Sequence, residues 1–266
     1  MSLGFDEAYT PQSNEEYYRE YSQEWVDRFF DDTTLVRIIK EEQYPFNGIY
    51  DEYVTHVDTV SEMTTNVTKV EGDYLALIYK DCLHKTYRGQ KIIHDNKPYL
   101  VYQKTEDLSR IAKSKIIKCN NKISFVDKAS GNIITEPIFV GYELSATNNN
   151  VTKNATIDSR RLVCLIQGNE HTSSFIEEQR FMLSKKKAFK ITQINDVNKD
   201  SIDDEYPTMI TLYIEWSPVN INDNKDLLIA DYYNSTYTLS INSTNLSLAP
   251  SASGQLTATV KLNDVV

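Results

Sequence analysis

The sequence predicts a mainly β protein: two tandem small β-barrel or sandwich modules, preceded by an N-terminal helix and followed by further alternating strands. Two stretches that resemble each other carry most of this expectation. Residues 91–103 and 181–193 align at a shift of 90 positions, so that Ile93 meets Leu183, Tyr99 meets Phe189, Val101 meets Ile191 and Gln103 meets Gln193. In each, a polar tetrad (His94 to Lys97, Ser184 to Lys187) separates apolar runs of period two, the pattern of a hairpin with one buried face. Upstream, Leu75 to Ile78 matches Val163 to Ile166 at a shift of 88, and downstream Lys115 to Ile117 and Thr211 to Ile214 supply one more strand apiece. A duplication explains the match, with chance likeness between β-sequences as the competing reading.

The order of elements begins with a helix. Ser13 as N-cap and Glu16 three residues on form a capping box, with Glu15 beside the positive helix end. Tyr18, Tyr21, Trp25 and Phe29 recur at 3, 4 and 4 residues as an aromatic stripe, and Glu20, Glu24 and Asp27 fall on the other side. The pattern breaks near Phe30. A helix packed on its own β-domain is the plain reading, a contact between subunits the sharper one. Leu35 to Ile39 then reads as a strand, Pro45 to Gly48 as a turn, and 53–70 as two thin strands with a loop. Strands are expected at 73–80, 90–94 and 98–103, with 104–114 a loop or a helical turn.

The first module is expected to span 35–144 and to include a long hairpin over 118–140, where two alternating arms flank Ser130-Gly131-Asn132. Pro137 lacks a backbone donor and belongs on an edge or bulge. The Asn-rich stretch 145–157 marks the module boundary, and the second module covers 158–216. From 235, Leu239, Ile241, Leu246, Leu248, Leu256, Ala258 and Val260 keep an alternation.

Composition is that of an ordinary globular chain, 40% apolar and 25% charged over 266 residues, enough for two or three small cores. Tyrosine, at 18 residues, suits half-buried sheet positions, although AT-rich coding would produce the same bias. Residues 1–60 hold 14 acidic and 4 basic side chains, the whole of the net charge of −10, and the other 206 residues are balanced. Such a segment disfavours adhesion to nucleic acid and suits a basic protein partner, or the wall of a passage through which DNA slides. No run has signal-peptide order or membrane-spanning length, so Cys82, Cys119 and Cys164 are expected to be reduced thiols.

Chemistry-bearing motifs are weak. Cys82-x-His84 is the nearest approach to a metal pair, without a third ligand. The acid pairs Glu15/Glu16, Asp31/Asp32, Glu41/Glu42 and Asp203/Asp204 diverge on a helix or strand and read as solvated charge. Lys185, Lys186 and Lys187 occupy a predicted hairpin turn, solvated unless they meet DNA or an acidic subunit. There is no phosphate loop and no nucleophile elbow. No enzyme and no cofactor is expected.

Ile93 with Pro98-Tyr99-Leu100-Val101, then Lys118-Cys119-Asn120-Asn121-Lys122-Ile123-Ser124-Phe125-Val126-Asp127, then Gly131-Asn132-Ile133 and Glu136-Pro137, resemble neck proteins of tailed bacteriophages infecting low-GC Gram-positive hosts. Head-closure (stopper) and head–tail connector proteins of that kind show a hairpin with an aromatic after its turn and then an R/K-C-N-N-x-x-x-W/F-x-D segment. Phe125 stands here where Trp is common. The 237–260 pattern resembles the opening of a bacterial immunoglobulin-like domain, which needs about 100 residues to close, so Val266 is expected to fall within it. The resemblance implies a non-enzymatic virion protein that forms a ring, meets the portal or adaptor protein and tail or other neck proteins, and lets DNA pass without sequence-specific binding or membrane contact. Glu15, Glu16, Glu20, Glu24, the aromatic stripe, Asn120, Asn121, Phe125 and the lysine run are the candidate interface or lumen residues. An adhesion module at the tail tip or cell surface, with tyrosines stacking on host glycans, is the alternative, and a capsid decoration protein a third.

Overall fold

The computed structural model describes residues 14–59, 73–104, 111–127, 130–141, 161–197, 208–232, 237–241 and 258–262. Helix α1 (Asn14–Asp32) leads into β1 (Val36–Glu42), β2 (Tyr50–Thr59), β3 (Tyr74–Tyr79), β4 (Lys91–His94), β5 (Lys97–Lys104) and β6 (Lys113–Lys118). These six strands form a closed antiparallel barrel in the order β1-β2-β3-β6-β5-β4. Strands β7 (Asn121–Val126), β8 (Ile133–Gly141), β9 (Arg161–Gln167), β10 (Arg180–Ser184), β11 (Lys187–Asn195) and β12 (Met209–Ser217) form a second six-stranded sheet, ordered β7-β8-β9-β12-β11-β10. The two orders are the same connectivity used twice. Strands β13 (Tyr237–Ile241) and β14 (Ala258–Leu262) pair antiparallel with each other.

The repeat extends to irregularities. β5 slips its register against β6 between Val101 and Gln103, and β11 slips against β12 between Ile191 and Gln193, so the bulged residues Tyr102 and Thr192 stand 90 positions apart. A bulge bends a strand and tightens its twist, which suits a strand that wraps around a small core. On β4 and β10 the ladders give a shift of 89, so Ile93 meets Met182 rather than Leu183. The upstream match needs a one-residue correction as well. Ladder registers equate Leu75, Leu77 and Tyr79 with Leu162, Cys164 and Ile166, a shift of 87 rather than 88. A one-residue slip turns every side chain to the other face, and only the shift of 87 puts core on core.

The hairpin after Cys119 belongs to the second sheet, not the first module. β7 and β8 pair with each other and β8 continues onto β9 through Phe139, Val140 and Gly141. The boundary between modules therefore lies at Cys119-Asn120, where β6 ends, rather than at 145–157. The Asn120 amide grips Val140 from both sides, Nδ2 donating to its carbonyl and Oδ1 accepting from its N–H at 2.8 Å each. Its side chain thereby continues the ladder past the end of β7. Pro137 lies on β8 before the β9 pairing begins at Phe139, the free-edge position expected of it.

The two six-stranded units pack side by side through outward-facing residues: Tyr74, Leu100, Ile117 and Cys119 from one, Phe139, Leu165 and Met209 from the other. Polar groups fasten the same junction. Gln167 Nε2 donates to Glu42 Oε2 at 2.7 Å, Gly48 N–H to Glu42 Oε1 at 2.8 Å, and Lys91 Nζ lies 2.7 Å from Glu136 Oε2 and 3.7 Å from Glu42 Oε2. Asn169 Nδ2 donates to Glu136 Oε1 at 3.0 Å. On the far side of the second sheet, Arg180 reaches Asp223, Asp231 and the Pro218 carbonyl, pinning the 218–232 loop to β10.

α1 packs on the outside of the first barrel, but not through the whole aromatic stripe. Val26 and Phe30 are buried with Cys82, and Phe29, half-buried, meets the His56 ring edge-on at 4.8 Å. Tyr21 and Trp25 stay 61% and 43% exposed. The buried face runs Ser22-Val26-Phe29-Phe30, turned from the predicted stripe toward Cys82, Ile78 and His56 on the barrel. Among the described residues no helix is long and apolar enough to cross a membrane.

Candidate functional site at the end of the closed barrel

One end of the first barrel carries polar groups that its twin does without. Following the ladders equates Ile39 with Ile123, Glu41 with Phe125 and Ile92 with Phe181. In the first unit Glu41 and Ile92 are opposed where β1 closes on β4. In the second, Phe125 and Phe181 sit 6.3 Å apart and Phe175, from the β9–β10 connection, packs on both at 4.8 and 5.1 Å. This aromatic wedge fills the place of the closing ladder, so β7 and β10 are the edges of an open sheet.

The β3–β4 connection of the first unit delivers His84 to the corresponding place. His84 Nε2 lies 2.8 Å from Glu41 Oε2, and the ring is held between Tyr79 (4.2 Å) and Tyr53 (4.3 Å). Glu41, Tyr79 and His84 thus stand where the twin has Phe125, Ile166 and Phe175. The framework needs only apolar filling here, and burying polar groups instead costs stability unless each is paired. Pairing is incomplete. Glu41 is fully buried and its Oε1 has no hydrogen bond, and the Tyr79 hydroxyl, 1% exposed, lies beside Ser114 without reaching bonding geometry. One position reverses the exchange: Tyr53 corresponds to Glu136, whose carboxylate is met by Lys91 and Asn169.

Burial raises the Glu41 carboxyl above its ordinary value of 4.5, against the opposing pull of His84. Burial, and then the Glu41 charge, hold the Tyr79 phenol well above its usual range, so it stays a donor. Because the folded chain holds the Glu41 proton more tightly than the unfolded one, the stability this proton contributes is complete below pH 4.5 and is lost as pH rises through the raised value. Glu41→Gln is therefore expected to gain on the wild type as pH climbs from 4.5 toward neutrality, measured as the difference between urea midpoints across that range. Parallel profiles would show that Glu41 is not the titrating group.

Over this cluster opens a cleft of about 370 Å³ beside α1. Tyr53, Tyr79 and His84 line its inner part, and Asp27, Glu52 and Asp81 are exposed at its rim, with Lys80 the one cation.

The predicted site residues disperse. Glu15, Glu16 and Tyr18 lie on α1 with side chains outside the described residues. Glu20 is exposed, Glu24 pairs with Arg28, and Trp25 stacks on Phe29 with centroids 5.3 Å apart. Asn120 bonds the Val140 backbone across the sheet and Asn121 accepts from the N–H of its neighbour Lys122. Phe125 is buried, so it serves the core and not a surface. Lys185, Lys186 and Lys187 are exposed at the β10–β11 turn, Lys185 within 2.8 Å of Asp226.

Glu41 and Glu42 are not the solvated pair expected. They do diverge, Glu41 into the barrel and Glu42 toward Gln167, but both are buried. The sequence held one signal for this: Glu41 is two residues from Ile39 and so shares its inward face. Cys82 and His84 also part company, Cys82 toward Val26 and Phe30 and His84 toward Glu41.

Fold and site together define a class: a β protein of two six-stranded units with one strand order, one closed, one wedged open, and a polar cleft on the closed one. Compared with family models, curated proteins and solved structures, the chain matches none of them.

Proposed function

We propose that this chain is a non-enzymatic subunit of a multi-copy assembly, a ring in the neck of a tailed phage at the head-closure or head–tail connection layer, where it retains packaged DNA and docks the tail. The observation that carries the reading is the outer edge of α1. Tyr21 and Trp25 stand exposed along the edge of a helix whose adjoining face is anchored to the barrel, and large exposed aromatic side chains are typical centres of protein interfaces. The occupant of that edge is a neighbouring copy of the chain, since a ring is closed by repeating one heterologous contact. Two six-stranded units fastened by apolar and polar contacts make a stiff building block, and an acidic segment facing a lumen repels the phosphates of passing DNA. Portal or adaptor protein on one side and tail proteins on the other are the further partners.

Tyr21→Ala combined with Trp25→Ala is expected to reduce ring formation or incorporation into particles at least about tenfold, with melting temperature little changed. Mass measurement and electron microscopy read the assembly. Neutralising Glu15, Glu16, Glu20 and Glu24 is expected to weaken assembly in the same direction without unfolding the β-units. A wild-type chain that stays monomeric beside its neck partners, or particles that incorporate the double variant normally, would sink the reading.

A further inference from the structure

The geometry points to the cleft between α1 and the barrel end as a receptor for a guanidinium group, the arginine side chain of a partner protein. Two independent features lead there. One is the internal comparison: at the corresponding places the core of the second unit has Phe125, Ile166 and Phe175, so Glu41, Tyr79 and His84 are not demanded by the fold. The other is unmet bonding. Tyr79 lines the cleft and is 1% exposed, its hydroxyl, beside Ser114, makes no hydrogen bond among the described residues, and Glu41 Oε1 behind His84 likewise has none.

The lining selects the charge. Asp27, Glu52 and Asp81 surround the opening against the single Lys80, and two of these three acids belong to the segment that carries all the net charge of the chain. Each is only lightly engaged: Asp27 accepts from Gln23 at 3.1 Å, Glu52 lies 3.5 Å from Lys40, and Asp81 accepts from the Leu83 N–H. An ammonium would satisfy one point of this spread. A guanidinium presents five N–H donors in a fixed plane and can meet separated acceptors at once while its flat face lies against aromatic rings. The Tyr53–His84–Tyr79 stack supplies such rings. The cleft, at about 370 Å³, admits one such side chain.

This inference does not depend on the assembly reading, because it is tested on the free full-length chain with a small probe. Nα-acetyl-arginine amide is titrated while the His84 imidazole and tyrosine ring signals are followed by NMR, with the lysine and citrulline analogues in parallel. Citrulline keeps the shape and loses the charge. Saturable shifts at His84 with a dissociation constant on the order of millimolar are expected for the arginine probe, weakened about tenfold or more for citrulline and severalfold for lysine. Asp27→Asn with Glu52→Gln, both exposed and outside the core, is expected to weaken the arginine probe about tenfold and leave the melting temperature unchanged. Absence of a saturable His84 response, equal response to citrulline, or undiminished binding by the rim variant would each overturn the proposal.

Discussion

Lys91→Met is expected to destabilise the protein by about 3–5 kcal/mol, the usual cost of leaving a buried charge without its partner. Lys91 Nζ stands between two carboxylates, 2.7 Å from Glu136 and 3.7 Å from Glu42, and the side chains of all three are at most 11% exposed. The contact with Glu136 Oε2 works by charge and closeness, since its angle falls outside hydrogen-bond geometry. With the ammonium gone, Glu42 keeps the Gln167 and Gly48 donors while Glu136 keeps only Asn169. Glu136 is therefore the group that suffers, and adding Glu136→Gln to Lys91→Met is expected to recover much of the loss. Urea unfolding of the single and double variants measures this. A single variant within about 1 kcal/mol of wild type would show that the charges find water at the junction.

Gly89→Ala is expected to cost about 2–4 kcal/mol, from a left-handed backbone and a steric clash acting together. Gly89 has φ +78°, and a Cβ there would fall 1.9 Å from the backbone oxygen of Thr208 in the other six-stranded unit. That oxygen also accepts the Gly168 N–H at 3.0 Å, so it cannot move freely. Gly131 is the matched control. Its φ is +72° but a Cβ there meets nothing within 4 Å, so Gly131→Ala should cost only about 1 kcal/mol. Equal losses in thermal or urea denaturation would mean that Gly89 matters for its own conformation and not for the approach of the two units.

Much of the architecture was legible because strand patterns are local. The tetrads at His94–Lys97 and Ser184–Lys187 lie where β4 turns into β5 and β10 into β11, and in the first turn Asp95 and Asn96 both take the positive φ of a two-residue hairpin. The same alignment foresaw a repeated unit whose connectivity is now seen twice. Misreadings arose where a residue's fate is set by a distant neighbour. The 118–140 hairpin follows β6 in sequence and so reads as part of the first unit, whereas its partner is β9, reached beyond a long polar stretch. Tyr21 and Trp25 share a stripe with Phe29, yet which side of α1 is covered depends on His56, Ile78 and Cys82 beneath it.

The candidate site was the least legible part. Glu41 beside Glu42 reads as surface charge, and His84 beside Cys82 as a feeble metal pair. Alternation along β1 determines by itself that Glu41 and Glu42 point apart and that Glu41 follows Ile39 inward. Only closure of β1 against β4, the fold of the β3–β4 connection and the docking of the second unit decide that one carboxylate meets His84 and the other Gln167. Period-two patterning is written in each strand's own residues, whereas burial of a charge depends on what the rest of the chain brings to it across tens of positions.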